Sequence, residues 1–154
     1  MKPFEIILAE DSPGDAMLVR VALREAAVDC KLLQVEDGEK AIALIESLNA
    51  NSRPPNIDLL LLDLNLPKRD GEEVLRRLRS IERYAQTPVV VMTASSAPEA
   101  YQKAQEHAVL HYFRKPSNLA GFMKLGKVVR DVLYPNGSPD REPPPRAATH
   151  GGAA

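Results

Sequence analysis

The chain has 154 residues, of which 44% are hydrophobic and 27% charged, with a formal net charge of -1. That is one domain in size, with composition enough for a single core; it excludes a wholly disordered chain and gives no electrostatic case for nucleic acid or acidic lipid as a partner. The single cysteine, Cys30, cannot close an internal disulfide, which favours a reducing compartment. No apolar run approaches the ~20 residues of a membrane-spanning helix. The run 4–9 is interrupted by Glu5 and ended by Glu10 and Asp11, too short and too acidic for a signal peptide. A soluble, cytoplasmic protein is expected.

In chain order, the run 4–9 reads as a first strand. Ser12 then caps a helix, with Pro13 at its opening position, Asp15 completing a capping box, and Leu18, Val21 and Ala22 forming one face. A weaker apolar run, 31–35, is followed by a helical segment over 38–48 and a polar loop over 49–56. The run 57–62 is a third strand, and Val74, Leu75, Leu78 and Ile81 recur after it at helical spacing. Strand 88–92, helix 98–107 and strand 109–113 come next, then a helix with the stripe Phe122, Leu125, Val129, Val132 and Leu133.

The strand runs are continuous rather than alternating, as expected of strands buried on both faces of a parallel sheet. Five alternations of strand and helix predict an α/β domain over 1–134. Its sheet would be doubly wound, parallel and five-stranded, in the flavodoxin-like order 2-1-3-4-5, with helices on both faces. Residues 135–154 are rich in proline, glycine and small residues without apolar period, and read as a disordered tail. The triple proline within it, Pro143 to Pro145, reads as part of a solubilising extension rather than as a polyproline ligand.

The polar residues fall where the apolar runs stop: Glu10 and Asp11 after the first, Asp63 after the third, Thr93 after the fourth, Lys115 just past the fifth. All are carboxyl ends of strands, the edge that carries the site in open α/β sheets. The predicted order brings Glu10, Asp11 and Asp63 together. Carboxylates that close repel by about 4 kcal/mol per pair at an effective dielectric near 20. A hard divalent cation held by oxygen ligands offsets this, and Mg²⁺ suits a few carboxylates together with a phosphoryl oxygen. Lys115 adds an ammonium and Thr93 a hydroxyl, completing what phosphoryl transfer to an aspartate requires; Asp63 is the expected nucleophile. Singly, each residue has a plainer reading: a loop start, a turn residue ahead of Pro67, a strand end, a solvated surface charge. Their conjunction on one edge decides for the site.

The segments IILAEDSPGD, LLLLDLNLPKRDG, PVVVMTASS and HYFRKP resemble the motifs of bacterial response-regulator receiver domains, over about residues 4–133. The intervals agree as well: Asp63 to Thr93 is 30 residues, Thr93 to Tyr112 is 19, and Asp63 to Lys115 is 52. The resemblance implies that Glu10, Asp11 and Asp63 hold Mg²⁺ together with the backbone carbonyl of Asn65. It implies that Thr93 and Lys115 contact the phosphoryl group, that Thr93 and Tyr112 form the switch, and that the Lys115–Pro116 bond is cis. The acidic pair is Glu-Asp rather than Asp-Asp, which lengthens one metal ligand.

The partner implied is a sensor histidine kinase. EDSPGD and DLNLPKRDG are similar to single-domain regulators that accompany phytochrome-type kinases. Such a protein is a phosphoacceptor rather than an enzyme, though it assists its own Mg²⁺-dependent phosphorylation and dephosphorylation. A homodimer through the 97–133 face is expected, leaving the first helix, with Gly14, Met17 and Leu18, to meet the kinase. Two rivals fit less well. A phosphatase of the haloacid dehalogenase type needs a second Asp two residues beyond its nucleophile, and Asn65 stands there, leaving no proton donor. A nucleic-acid module is hinted at by Lys68, Arg69, Arg76, Arg77, Arg79 and Arg83, but these alternate with Glu72, Glu73 and Glu82 as on a solvated helix face.

Overall fold

Residues 2–94 and 98–135 are described in the computed structural model. The strands are β1 (Phe4–Ala9), β2 (Cys30–Val35), β3 (Leu59–Asp63), β4 (Val89–Thr93) and β5 (His111–Arg114). All pairs are parallel, in the order β2-β1-β3-β4-β5, which is the expected sheet. Helices α1 (Pro13–Glu25), α2 (Gly38–Asn49), α3 (Gly71–Ser80), α4 (Pro98–Glu106) and α5 (Leu119–Leu133) follow the successive strands. The proposed tail lies, apart from Pro135, outside the described residues.

Side chains along a strand turn alternately to opposite faces, so one apolar run feeds two cores. Ile6, Leu8, Leu59, Leu61, Val90, Met92 and Phe113 pack on one face with Ala16, Val19 and Leu23 of α1 and Phe122, Leu125 and Val129 of α5. Ile7, Ala9, Leu60, Leu62, Val89 and Val91 pack on the other with residues of α2, α3 and α4. This is why the central runs lack a polar alternation. Four helices open on side-chain caps: Ser12 accepts from the Asp15 N–H, Asp37 from Lys40, Asp70 from Glu73 and Asn118 from Gly121.

The α1 face differs from the expected one. Its buried residues are Ala16, Val19, Ala22 and Leu23, while Leu18 and Val21 are only half-buried. The reason is the close approach of α5: a Cβ on Gly126 would stand 2.3 Å from the Ala22 carbonyl oxygen, so that side of α1 is the contact. Strand β5 also starts later than expected, at His111. Leu110 before it is 59% exposed, and the strand lies at the sheet edge.

Arg79 is not part of a solvated face. Its guanidinium donates to the carbonyls of His107 (2.9 Å), Ala108 (3.2 Å), Ala85 (3.2 Å) and Thr87 (2.7 Å), tying the end of α3 to the turns before β4 and β5. The planar fork of five donors makes that possible. The neighbouring arginines do fit the sequence reading: Arg69 pairs with Glu73, Arg76 with Glu72 and Arg77 with Glu46.

Candidate functional site

Parallel register carries the site. Ala9 pairs with Leu62, Asp63 with Met92, and Thr93 with Arg114, so Glu10, Asp63, Thr93 and Lys115 leave the sheet at one edge. Gly71 lets α3 begin tightly against β3: a Cβ there would stand 2.6 Å from the Leu64 Cα and 2.8 Å from the Asp63 carbonyl oxygen. The polar loop 49–56 leads instead into the amino end of β3, at the opposite edge.

Glu10 and Asp63 are buried and Asp11 is exposed. One carboxylate oxygen from each of the three lies within 4.8 Å of the others. The Lys115 ammonium answers this charge: its Nζ is 2.6 Å from Glu10 Oε1, 2.8 Å from Asp63 Oδ2 and 2.8 Å from Asp15 Oδ2. The Asn65 N–H donates to Asp63 Oδ1 (2.9 Å) and the Ser12 N–H to Glu10 Oε2 (3.1 Å). Glu10 Oε1 has the Lys115 ammonium as its one partner.

Burial pushes the Glu10 carboxyl up to about 7, with Asp63 adding to the rise and Lys115 and the Ser12 N–H opposing it. Burial works against the charged form of Lys115, but its hydrogen bonds to Asp15 and Asp63 and its contact with Glu10 outweigh that and hold it above the ordinary lysine range. A buried carboxylate oxygen whose one partner is a lysine ammonium, within an all-oxygen anionic set, fits a hard divalent cation.

Each predicted site residue is found at this edge or beside it. Thr93 is fully buried, and its Oγ1 accepts from the Asn65 side-chain amide at 3.2 Å. Tyr112 is half-buried, with its ring edge-on to Tyr101 of α4 at a centroid distance of 5.2 Å. One expectation is corrected. The Lys115–Pro116 bond is not cis, for no cis peptide bond occurs among the described residues. Trans remains the lower-energy isomer of a prolyl bond by about 0.5–1 kcal/mol, and the trans backbone already delivers Nζ to all three carboxylates. One residue was missed. Asp15 reads in the sequence as part of a cap, yet only its backbone N–H serves the cap, and its carboxylate is the third at Lys115 beside those of Glu10 and Asp63.

The model of the response regulator receiver domain matches residues 6–125. This chain belongs to that family. The receiver is 36% identical over 123 residues to the response regulator Rcp1 of Synechocystis sp., covering 80% of this chain and 84% of the relative. It is 33% identical over 131 residues to the probable methanogenesis regulatory protein FilR2 of Methanothrix harundinacea, covering 84% and 81%. Among solved structures it is similar to the phosphorylated cyanobacterial phytochrome response regulator RcpA, with a TM-score of 0.75, 33% identity and coverage of 84% and 93%. The Mn²⁺-bound form of Rcp1 is comparable, with a TM-score of 0.74, 34% identity and the same coverage. The receiver is therefore a phosphoacceptor signalling domain with an acidic cluster suited to a divalent metal.

Removing Lys115 should expose the balance of charges. In the absence of divalent cations, Lys115→Ala should lose about 3 kcal/mol of stability, because three carboxylates are left without their ammonium. A divalent salt should restore more stability to the variant than to the wild type, as read by urea denaturation. Equal losses with and without the salt would contradict the balance.

Proposed function

We propose that Asp63 accepts a phosphoryl group from the phosphohistidine of a sensor histidine kinase and that the receiver signals by changing its protein contacts. One observation carries this reading: a nearly buried carboxylate fixed between the Asn65 N–H and the Lys115 ammonium, beside two further acidic residues. The phosphorus–nitrogen bond of the donor breaks and a phosphorus–oxygen bond to Asp63 forms. The protein contributes position and charge rather than a covalent partner of its own beyond Asp63.

Glu10, Asp11 and Asp63, with the backbone carbonyl of Asn65, would hold Mg²⁺. When bound, that ion neutralises the carboxylates and the charge that develops on the phosphoryl oxygens. The same groups would assist hydrolysis of the acyl phosphate, so the receiver would aid both its own phosphorylation and its own dephosphorylation without being a turnover enzyme. Lys115 would pass a donor from Asp63 to a phosphoryl oxygen. Thr93 would turn its hydroxyl to donate to another, giving up the hydrogen bond it accepts from the Asn65 side-chain amide. The Tyr112 ring, packed against α4, would move with Thr93, shifting an existing equilibrium.

The kinase partner would be of the phytochrome type, which the likeness to RcpA supports. Met17 is 59% exposed on α1, the helix that also carries Asp15 at the site, and would take the kinase contact. Tyr101, Leu110 and Leu119 are exposed apolar residues of the 97–133 face and would line a homodimer contact. A cytoplasmic place suits a soluble kinase partner. No helix among the described residues is long and apolar enough to cross a membrane.

Acetyl phosphate or a cognate kinase should label the wild type in the presence of Mg²⁺. Asp63→Asn and chelation by EDTA should each abolish labelling, followed by mass spectrometry; undiminished labelling in either would overturn the assignment. Met17→Glu should slow transfer from the kinase severalfold and leave labelling by acetyl phosphate unchanged. Light scattering should return the mass of a dimer with beryllofluoride added; a monomer with and without it would remove the dimer.

A further inference from the structure

We propose that Asp15 is a positioning residue of the phosphorylation site, the permanent counter-ion that holds Lys115 in place while its other carboxylate partners change. This rests on the reading of Asp63 as acceptor. An ammonium has three donors, and here three carboxylates stand against one Nζ: Glu10 at 2.6 Å, Asp63 at 2.8 Å and Asp15 at 2.8 Å. Two of those contacts do not survive the reaction unchanged. Glu10 and Asp63 both belong to the acidic cluster that fits a divalent cation, and Asp63 is also the group that gains the phosphoryl. Asp15 belongs to neither role, because its carboxylate lies outside that cluster of three.

Asp15 is also the only one of the three partners that comes from a helix. It sits in the first turn of α1, where its own N–H donates to Ser12, and so has a fixed backbone. Lys115 sits where β5 has ended, with its N–H on the Thr93 carbonyl at 2.8 Å. The pair Asp15–Lys115 thus bridges α1 to the loop after β5, 100 residues apart in the chain. When cation and phosphoryl arrive, Asp15 keeps the ammonium at the mouth of the site with its remaining donors aimed at the incoming phosphoryl oxygens. Without Asp15 the lysine would lose its orientation at the moment when its other two carboxylates are taken.

Two effects of the Asp15 charge oppose each other, which gives the test its sign. Simple repulsion of an anionic phosphoryl predicts that removing Asp15 speeds phosphorylation; positioning of Lys115 predicts that it slows it. The test is the rate of labelling by acetyl phosphate at saturating Mg²⁺ for wild type, D15A, D15E, K115A and the double variant D15A/K115A. All are first checked for folding by circular dichroism in the same buffer. D15A should be about tenfold slower than wild type, the scale of losing a group that orients a reacting one. D15E, which keeps a carboxylate, should recover to within threefold of wild type. In the K115A background the same D15A change should cost less than twofold, since Asp15 acts through the lysine. A D15A rate equal to or above wild type would overturn the inference, as would an equal loss in both backgrounds. If the wild type itself took no label, the assignment of Asp63 would fail first and this inference with it.

Discussion

The Lys115 ammonium, set among the carboxylates of Glu10, Asp15 and Asp63, is the interaction on which the rest of the site depends. Each carboxylate comes from a different place: the end of β1, the first turn of α1 and the end of β3. Side by side and unanswered they would repel by about 4 kcal/mol per pair, a cost that the lysine cation offsets. A lysine on a flexible stem is a suitable occupant, because its compact ammonium can face three carboxylates at once. The two core layers then have a plain task. They fix the strand ends against one another so that the charges meet at fixed distances.

From this edge the contacts lead toward β5. Asn65 links Asp63 to Thr93, donating its N–H to Asp63 and its side-chain amide to Thr93 Oγ1. Thr93 in turn accepts the Lys115 N–H on its carbonyl, which ties the ends of β4 and β5 together. Tyr112 lies on β5 with its ring against Tyr101 of α4. At the far end, Arg79 clamps the turn between α4 and β5 through the carbonyls of His107 and Ala108. Strand β5 is thus tied at its start through Arg79 and at its end through Thr93.

Much of this was legible in the sequence for identifiable reasons. Short continuous apolar runs such as LLLL fit strands covered on both faces, and four of them with a weaker fifth and helices between leave few topologies. The meeting of Glu10, Asp11, Asp63, Thr93 and Lys115 at one edge was legible because each stands at the end of such a run or just past it, whereas Asn65 and Tyr112 came from the resemblance. What escaped was set by tertiary geometry. The buried side of α1 depends on where α5 approaches at Gly126, which no periodicity within α1 reveals. Arg79 looks like its neighbours Arg76 and Arg77 in sequence, yet turns inward to carbonyls from two other turns. Asp15 announced a cap through its position relative to Ser12, and its carboxylate's partner lay 100 residues away. The cis geometry expected of Lys115–Pro116 came from resemblance and not from any residue pattern, and the structure corrects it.

The most direct measurement is a crystal structure of the protein with beryllofluoride and a divalent cation. The fluoride adduct should sit on Asp63, with Lys115 and the Thr93 hydroxyl turned onto it, Tyr112 moved relative to Tyr101, and the metal among Glu10, Asp11 and Asp63. An adduct on another carboxylate, or one on Asp63 with Lys115 still directed at the acidic cluster and Thr93 still on Asn65, would contradict the exchange of partners at the centre of the site.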